Sequence, residues 1–150
     1  MRLYQEIGHV LPACAAVAVP AARTAEEAAA QIREVTATLM ADEPRYRALV
    51  ALAPDTAAPV GVLTMCESCA PYAGGYFGII QEFYIVPEMR SRGVGRAMIG
   101  FAREIALQKK WSRLEVTAPL DPAFTRSVAF YRAFGFKDSG PRLFLPTVPR

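Results

Sequence analysis

Ile79-Ile80-Gln81-Glu82-Phe83-Tyr84-Ile85-Val86-Pro87-Glu88-Met89-Arg90-Ser91-Arg92-Gly93-Val94-Gly95-Arg96 is the stretch on which the reading of this chain turns. Its first half is a β-branched and aromatic run, the composition of a buried strand, and Pro87 stops it because proline cannot donate to a sheet ladder. A tight turn and a helix start follow. Gly93 and Gly95 remove side chains that would screen backbone N–H groups at the helix start, and those donors can point together at a phosphate. Arg90, Arg92 and Arg96 add positive charge around the same point.

Other glycine loops fit less well. A P-loop needs Gly-x-x-x-x-Gly-Lys-Ser/Thr, and no Lys follows Gly95. A dinucleotide fingerprint needs a small residue three positions beyond its second glycine, where this chain has the bulky Met98. A plain strand-to-helix turn, with glycines for geometry alone, leaves the three arginines unexplained.

Arg90-x-x-Gly93-x-Gly95, just after the strand-ending Val86-Pro87, resembles the acetyl-coenzyme A signature of the GNAT (GCN5-related N-acetyltransferase) family. Phe130-Tyr131-Arg132-Ala133-Phe134-Gly135-Phe136 is similar to that family's C-terminal Tyr-x-x-x-Gly-Phe element. Two elements in the right order, roughly 40 residues apart, are far more specific than either alone. The resemblance spans roughly residues 58 to 145, and residues 1 to 45 match nothing specific. It implies a mixed α/β (α+β) fold: a mostly antiparallel sheet flanked by helices, with one splayed pair of parallel strands.

With 150 residues and 53% hydrophobic composition, the expectation is one domain, residues 1 to 150, with a sizeable core. The formal charge of +3 is mild. Residues 90 to 113, however, carry Arg90, Arg92, Arg96, Arg103, Lys109, Lys110 and Arg113 against the single acid Glu104. That excess suits a small polyanion such as coenzyme A, although Arg103, Lys109 and Lys110 read more simply as a solvated helix face. A nucleic-acid partner would call for a broader basic surface. Three cysteines, an odd number, make no disulfide framework and favour the cytoplasm. Cys66-Glu67-Ser68-Cys69 has redox spacing but leaves a strand instead of opening a helix; with His9 the lone histidine, no metal site is expected. Residues 10 to 19 are apolar, yet Pro12 and Glu6 argue against a signal peptide, and no run is long enough to span a membrane.

Helical spacing of Leu3, Ile7, Val10, Leu11 and Cys14 predicts a first helix. A second begins at the cap Thr24, with Glu26 and Glu27 in its first turn and a stripe of Ile32, Val35, Leu39 and Met40, and ends at Asp42-Glu43-Pro44. Residues 47 to 53 and 60 to 66 read as antiparallel strands, the second paired in turn with 77 to 86. Val94, Met98, Phe101 and Ile105 mark the expected buried stripe of the next helix, which runs to about Lys110. Residues 113 to 117 form a strand parallel to 79–86, a helix starts at Thr125 or Ser127 and stops at Gly135, and 143 to 145 close the sheet. The family's usual opening strand has no evident counterpart in residues 1 to 18, unless 14 to 19 substitute for it.

The resemblance implies direct acetyl transfer from acetyl-CoA to the primary amine of a small molecule or peptide. Cofactor contacts fall to backbone groups of Phe83, Tyr84 and Ile85 along the pantetheine arm, and to Arg90, Ser91, Arg92, Gly93, Val94, Gly95 and Arg96 at the pyrophosphate. Tyr131 is the candidate general acid, since a phenol of reference pKa about 10 matches a departing alkyl thiolate. Glu82 is the candidate base, with Glu115 and water as rivals. An Asn seen in the family seven residues before the tyrosine is Phe124 here. The acceptor is expected between Asp42 and Glu43, the loop from Cys66 to Gly75, and residues 121 to 124. A catalytically inactive acyl-CoA sensor is the alternative reading, and a homodimer is left open.

Overall fold

The computed structural model describes residues 24–41, 45–118 and 122–140. The expected helix over residues 3 to 14, the substitute strand at 14 to 19, the residues Asp42-Glu43-Pro44 and the closing strand at 143 to 145 lie outside them. The chain divides into two compact units, residues 1–114 and 115–150.

In the first unit, α1 (Ala25–Ala41) starts where expected, with the Glu27 N–H donating to Thr24 Oγ1 at 3.1 Å, an N-cap bond. Strands β1 (Tyr46–Leu52), β2 (Pro59–Ala70) and β3 (Gly75–Ile85) form a continuous antiparallel meander. β3 ends before Pro87 and leads through a 3₁₀ turn, Pro87–Met89, into α2 (Val94–Gln108). β4 (Leu114–Val116) begins as this unit ends and takes the last place in the sheet order β1-β2-β3-β4. Tyr76 O accepts from Ser112 N–H at 2.8 Å and Gly78 N–H donates to Arg113 O at 3.0 Å, so both chains advance in the same direction. That parallel relation is what a helical crossover requires.

The two helices cover opposite faces of the meander. Val62, fully buried, packs with Ile32 of α1, Ala48, Val50 and Tyr84. A Cβ on neighbouring Gly61 would meet Met98 Sδ of α2 at 3.1 Å. Successive strand residues point to opposite faces, so α1 lies on one side and α2 on the other. The absent Cβ at Gly61 is what lets α2 approach so closely.

Both helical stripes differ from the sequence expectation. The buried line of α2 is Gly95, Met98, Ile99, Ala102 and Ala106, whereas Phe101 is 60% exposed, at the rim of an apolar groove of about 390 Å³ shared with Leu49 and Val94. Small residues face the sheet because a close helix leaves no room for a phenyl ring. Among the described side chains of α1 the buried ones are Thr36 and Met40, and Val35 and Leu39 are exposed. The C–x–x–C segment is also corrected: pairing continues from Cys66↔Ile79 to Ala70↔Gly75, so these residues are strand and not loop. Three-residue spacing in a strand sends Cys66 and Cys69 to opposite faces, so they make no redox pair. Among the described residues no group of three or more His, Cys, Asp or Glu converges, and no helix is long and apolar enough to cross a membrane.

The second unit contains a 3₁₀ turn, Pro122–Phe124, and α3 (Thr125–Ala133). Gly135, at φ 88°, stops that helix as expected, because the left-handed region favours glycine.

Candidate active site

Glu82 owes its position to a bulge. Leu63 pairs with Phe83 and Met65 with Ile80, so Thr64 alone faces both Gln81 and Glu82. One extra residue resets the alternation of β3. Ile80 and Phe83 can then both pair on the α2 side, while Gln81 and Glu82 turn to the α1 side. Gln81 Nε2 reaches Cys66 Sγ at 2.8 Å there, and the Glu82 N–H donates to Thr64 Oγ1 at 3.2 Å.

Tyr46, the first residue of β1 and 7% exposed, donates its phenol to Glu82 Oε2 at 3.4 Å. Burial is the main reason its pKa rises from 10.0 to about 12; a bond from Thr64 opposes the rise and the Glu82 charge adds to it. Glu82 remains open to solvent over more than a third of its surface. Crowding of its carboxylate nevertheless raises its pKa from the ordinary 4.5, against the pull of the Tyr46 bond. The carboxylate is the end of the side chain packed against Tyr46, so it is more crowded than the residue as a whole. Neither Tyr46 nor Thr64 was singled out from sequence; a tyrosine at a strand edge and a threonine inside an apolar run carry no local signal of their meeting.

Past the bulge the antiparallel ladder is regular. Val86 N–H donates to Val60 O at 3.0 Å, which sends Tyr84 N–H toward β2 and Ile85 N–H to the opposite edge. Ile85 O accepts from Arg90 Nε at 2.9 Å, and the Arg90 guanidinium lies 5.5 Å from the Tyr84 ring centre. Arg90 thus clasps the strand end. Ser91 at φ 59° and Gly93 at φ 85° are both left-handed, curling the chain into α2. No side chain caps α2, and its first rung is Ala97 N–H to Gly93 O at 3.0 Å. The helix itself therefore offers no acceptor to Val94 N–H or Gly95 N–H, and its positive dipole end opens there. Arg92, Gly93 and Arg96 are exposed around it, with Val94 partly and Gly95 fully buried.

The structure thus gathers Glu82, Phe83, Tyr84, Ile85 and Arg90 through Arg96 on one strand, turn and helix start. Tyr131 and Glu115 belong to the second unit. Within it, Tyr131 packs edge-on against Phe130 and Phe136, with ring centres 5.6 and 5.5 Å apart. Burial raises its pKa to about 12, so the phenol keeps its proton at neutral pH.

The family model for the acetyltransferase (GNAT) domain matches residues 44–138. Among solved structures, ribosomal-protein-alanine N-acetyltransferase from Brucella melitensis biovar Abortus 2308 is 19% identical at a TM-score of 0.72, covering 97% of this chain and 94% of that one. Aminoglycoside antibiotic 6'-N-acetyltransferase from Acinetobacter haemolyticus is 21% identical at 0.67, covering 81% and 83%. Glucosamine-6-phosphate N-acetyltransferase from Arabidopsis thaliana is 10% identical at 0.66, covering 97% and 88%. No curated protein matches the sequence. At these identities the solved structures speak for the fold, and the domain match, which spans well over half of the chain, places it in the GNAT acetyltransferase family.

Proposed function

We propose that this protein is an N-acetyltransferase that moves an acetyl group from acetyl-CoA directly to a primary amine, with residues 1 to 150 forming one catalytic domain. The observation that carries the reading is the uncapped start of α2, where left-handed Gly93 presents Val94 N–H and Gly95 N–H between Arg92 and Arg96. A pyrophosphate fits that donor set, since backbone N–H groups, the helix dipole and guanidinium groups all favour an anion. Acetyl-CoA supplies a thioester whose acyl carbon is reactive toward amines.

The chain's own groups then divide the work. Backbone groups of Phe83 and Ile85, on the edge away from β2, hold the pantetheine arm, whereas those of Tyr84 are turned into the β2 ladder. The outward Ile85 N–H polarises the thioester oxygen, a contribution of about 3 kcal/mol for a well-placed donor. Glu82 takes a proton from the amine as nitrogen bonds to the acyl carbon. The carbon–sulfur bond breaks, and Tyr131 gives its proton to the departing sulfur, recovering one from solvent. The raised pKa of Glu82 places the base nearer neutrality, where its ionised form accepts a proton more readily.

The acceptor is a small molecule or peptide with a free amine, and the cytoplasm is the compartment we assign. The test is thiol release from acetyl-CoA in the presence of an aminoglycoside, glucosamine 6-phosphate and a peptide with an N-terminal alanine. Release that requires one of these amines and falls at least tenfold in Glu82→Gln supports the reading. Acetyl-CoA binding without release on a broad amine panel would leave a sensor instead.

A further inference from the structure

We infer that Tyr46 is a positioning residue that holds the Glu82 carboxylate by Oε2 on the α1 side of the bulge, leaving Oε1 to receive the proton of the acceptor amine. The inference rests on the reading of Glu82 as the base, and its own grounds are geometric. Three residues from three strands close a ring of hydrogen bonds. Glu82 N–H donates to Thr64 Oγ1, the Thr64 hydroxyl bonds the Tyr46 phenol, and that phenol donates to Glu82 Oε2. The backbone of Glu82 is thereby fixed to the fully buried Thr64 hydroxyl and its carboxylate to the buried Tyr46 phenol.

The ring exists because of the bulge. A regular β3 would not bring two successive side chains, Gln81 and Glu82, to one face. It also exists because Tyr46 is buried: a phenol held out of water keeps its proton and so remains a donor at every pH at which Glu82 ionises. The groups facing the carboxylate are few. β1 contributes Tyr46, β2 contributes Thr64 with Cys66 beyond it, and β3 contributes Gln81, none of them a cation. Among the described residues no cation pairs with Glu82, so the phenol is the donor that favours its ionised form.

Tyr46→Phe keeps the ring buried and removes only the donor. The readout is the Glu82 titration followed by carboxyl carbon NMR, beside the pH profile of thiol release and a calorimetric acetyl-CoA titration. The expected result is a Glu82 titration moved to higher pH, an acid limb of kcat/KM moved with it, and unchanged acetyl-CoA affinity. A Tyr46 that served packing alone would lower the melting temperature and leave both curves where they were, which would overturn the inference. Should Tyr46→Phe not fold, Thr64→Val breaks the ring at its other member and must move the Glu82 titration in the same direction. The two readings fail separately. Glu82→Gln at full rate removes the base assignment, whereas a slow Glu82→Gln with an unmoved titration in Tyr46→Phe removes only the role of Tyr46.

Discussion

The β2–β3 hairpin carries two glutamates with contrasting neighbours. Toward its tip, Glu67 Oε2 accepts from Trp111 Nε1 at 2.7 Å and lies 3.8 Å from Lys109 Nζ, which also sits over the Trp111 ring at 5.6 Å. Toward its open end, Glu82 has a neutral phenol at 3.4 Å and a hydroxyl on its backbone. The first carboxylate is met by a cation and an indole that is 6% exposed, and the arrangement welds α2 to the sheet. The second is crowded without a cation, so its proton is easier to keep. The same residue type becomes a structural brace or a titratable group according to whether charge answers charge.

The brace end should lose stability most. A Cβ on Gly78 would collide with the Trp111 ring and come within 2.7 Å of Leu114 Cδ2, so the indole fills a slot that only glycine leaves open. Trp111→Ala empties that slot and should cost about 3–5 kcal/mol in urea unfolding. A loss under about 1 kcal/mol would mean that the indole is not a keystone.

The titratable end should lose rate while keeping its fold. Glu82→Gln should slow thiol release about 100-fold, the lower range for losing a general base. The stability of the wild type should also depend on pH through this carboxyl. A carboxyl whose folded pKa is raised binds its proton more tightly when folded, so its stabilising contribution is full below about pH 4.5 and is lost as pH rises through the folded value. The melting temperature of the wild type should therefore fall relative to Glu82→Gln across that window. Parallel melting curves would contradict the crowding described here.

Smaller effects sharpen the contrast. Glu67→Gln keeps an acceptor for Trp111 and loses only the partly exposed Lys109 pair, so about 1 kcal/mol or less is expected from thermal melts. Cys69→Ser, on the exposed face of β2, should leave both stability and thiol release within about 0.5 kcal/mol of wild type. A redox-dependent change in that variant would revive the C–x–x–C pair that the strand geometry separates.

The strand, turn and helix start were legible because local chemistry writes them: Pro87 stops a ladder, and Gly93 and Gly95 punctuate a helix end. Thr24 was legible for the same reason. Phe101 was not, since large apolar residues mark a stripe by hydrophobicity while the sheet selected the smaller Gly95, Ala102 and Ala106 by distance. The bulge lies at Gln81-Glu82, where two polar residues in succession inside an apolar run break no alternation that the flanking residues had set up. Tyr46, Thr64 and Trp111 owe their roles to partners 18 or more positions away in the chain, and spacing rules carry no information at that range. The candidate site was therefore readable as a glycine-bearing turn and a carboxylate, and not as the hydroxyls that hold the carboxylate.

The central claim is that the start of α2 grips a pyrophosphate. Calorimetric titration of acetyl-CoA into the wild type and an Arg92→Glu, Gly93→Asp double variant tests it directly, because both changes put negative charge at the dipole end while Gly93→Asp also strains a left-handed position. The account predicts micromolar binding by the wild type and at least a 100-fold loss in the variant, the effect expected when about 3 kcal/mol of anion contacts are reversed. Wild-type protein that binds no acetyl-CoA, or a variant that binds it equally well, would contradict the account.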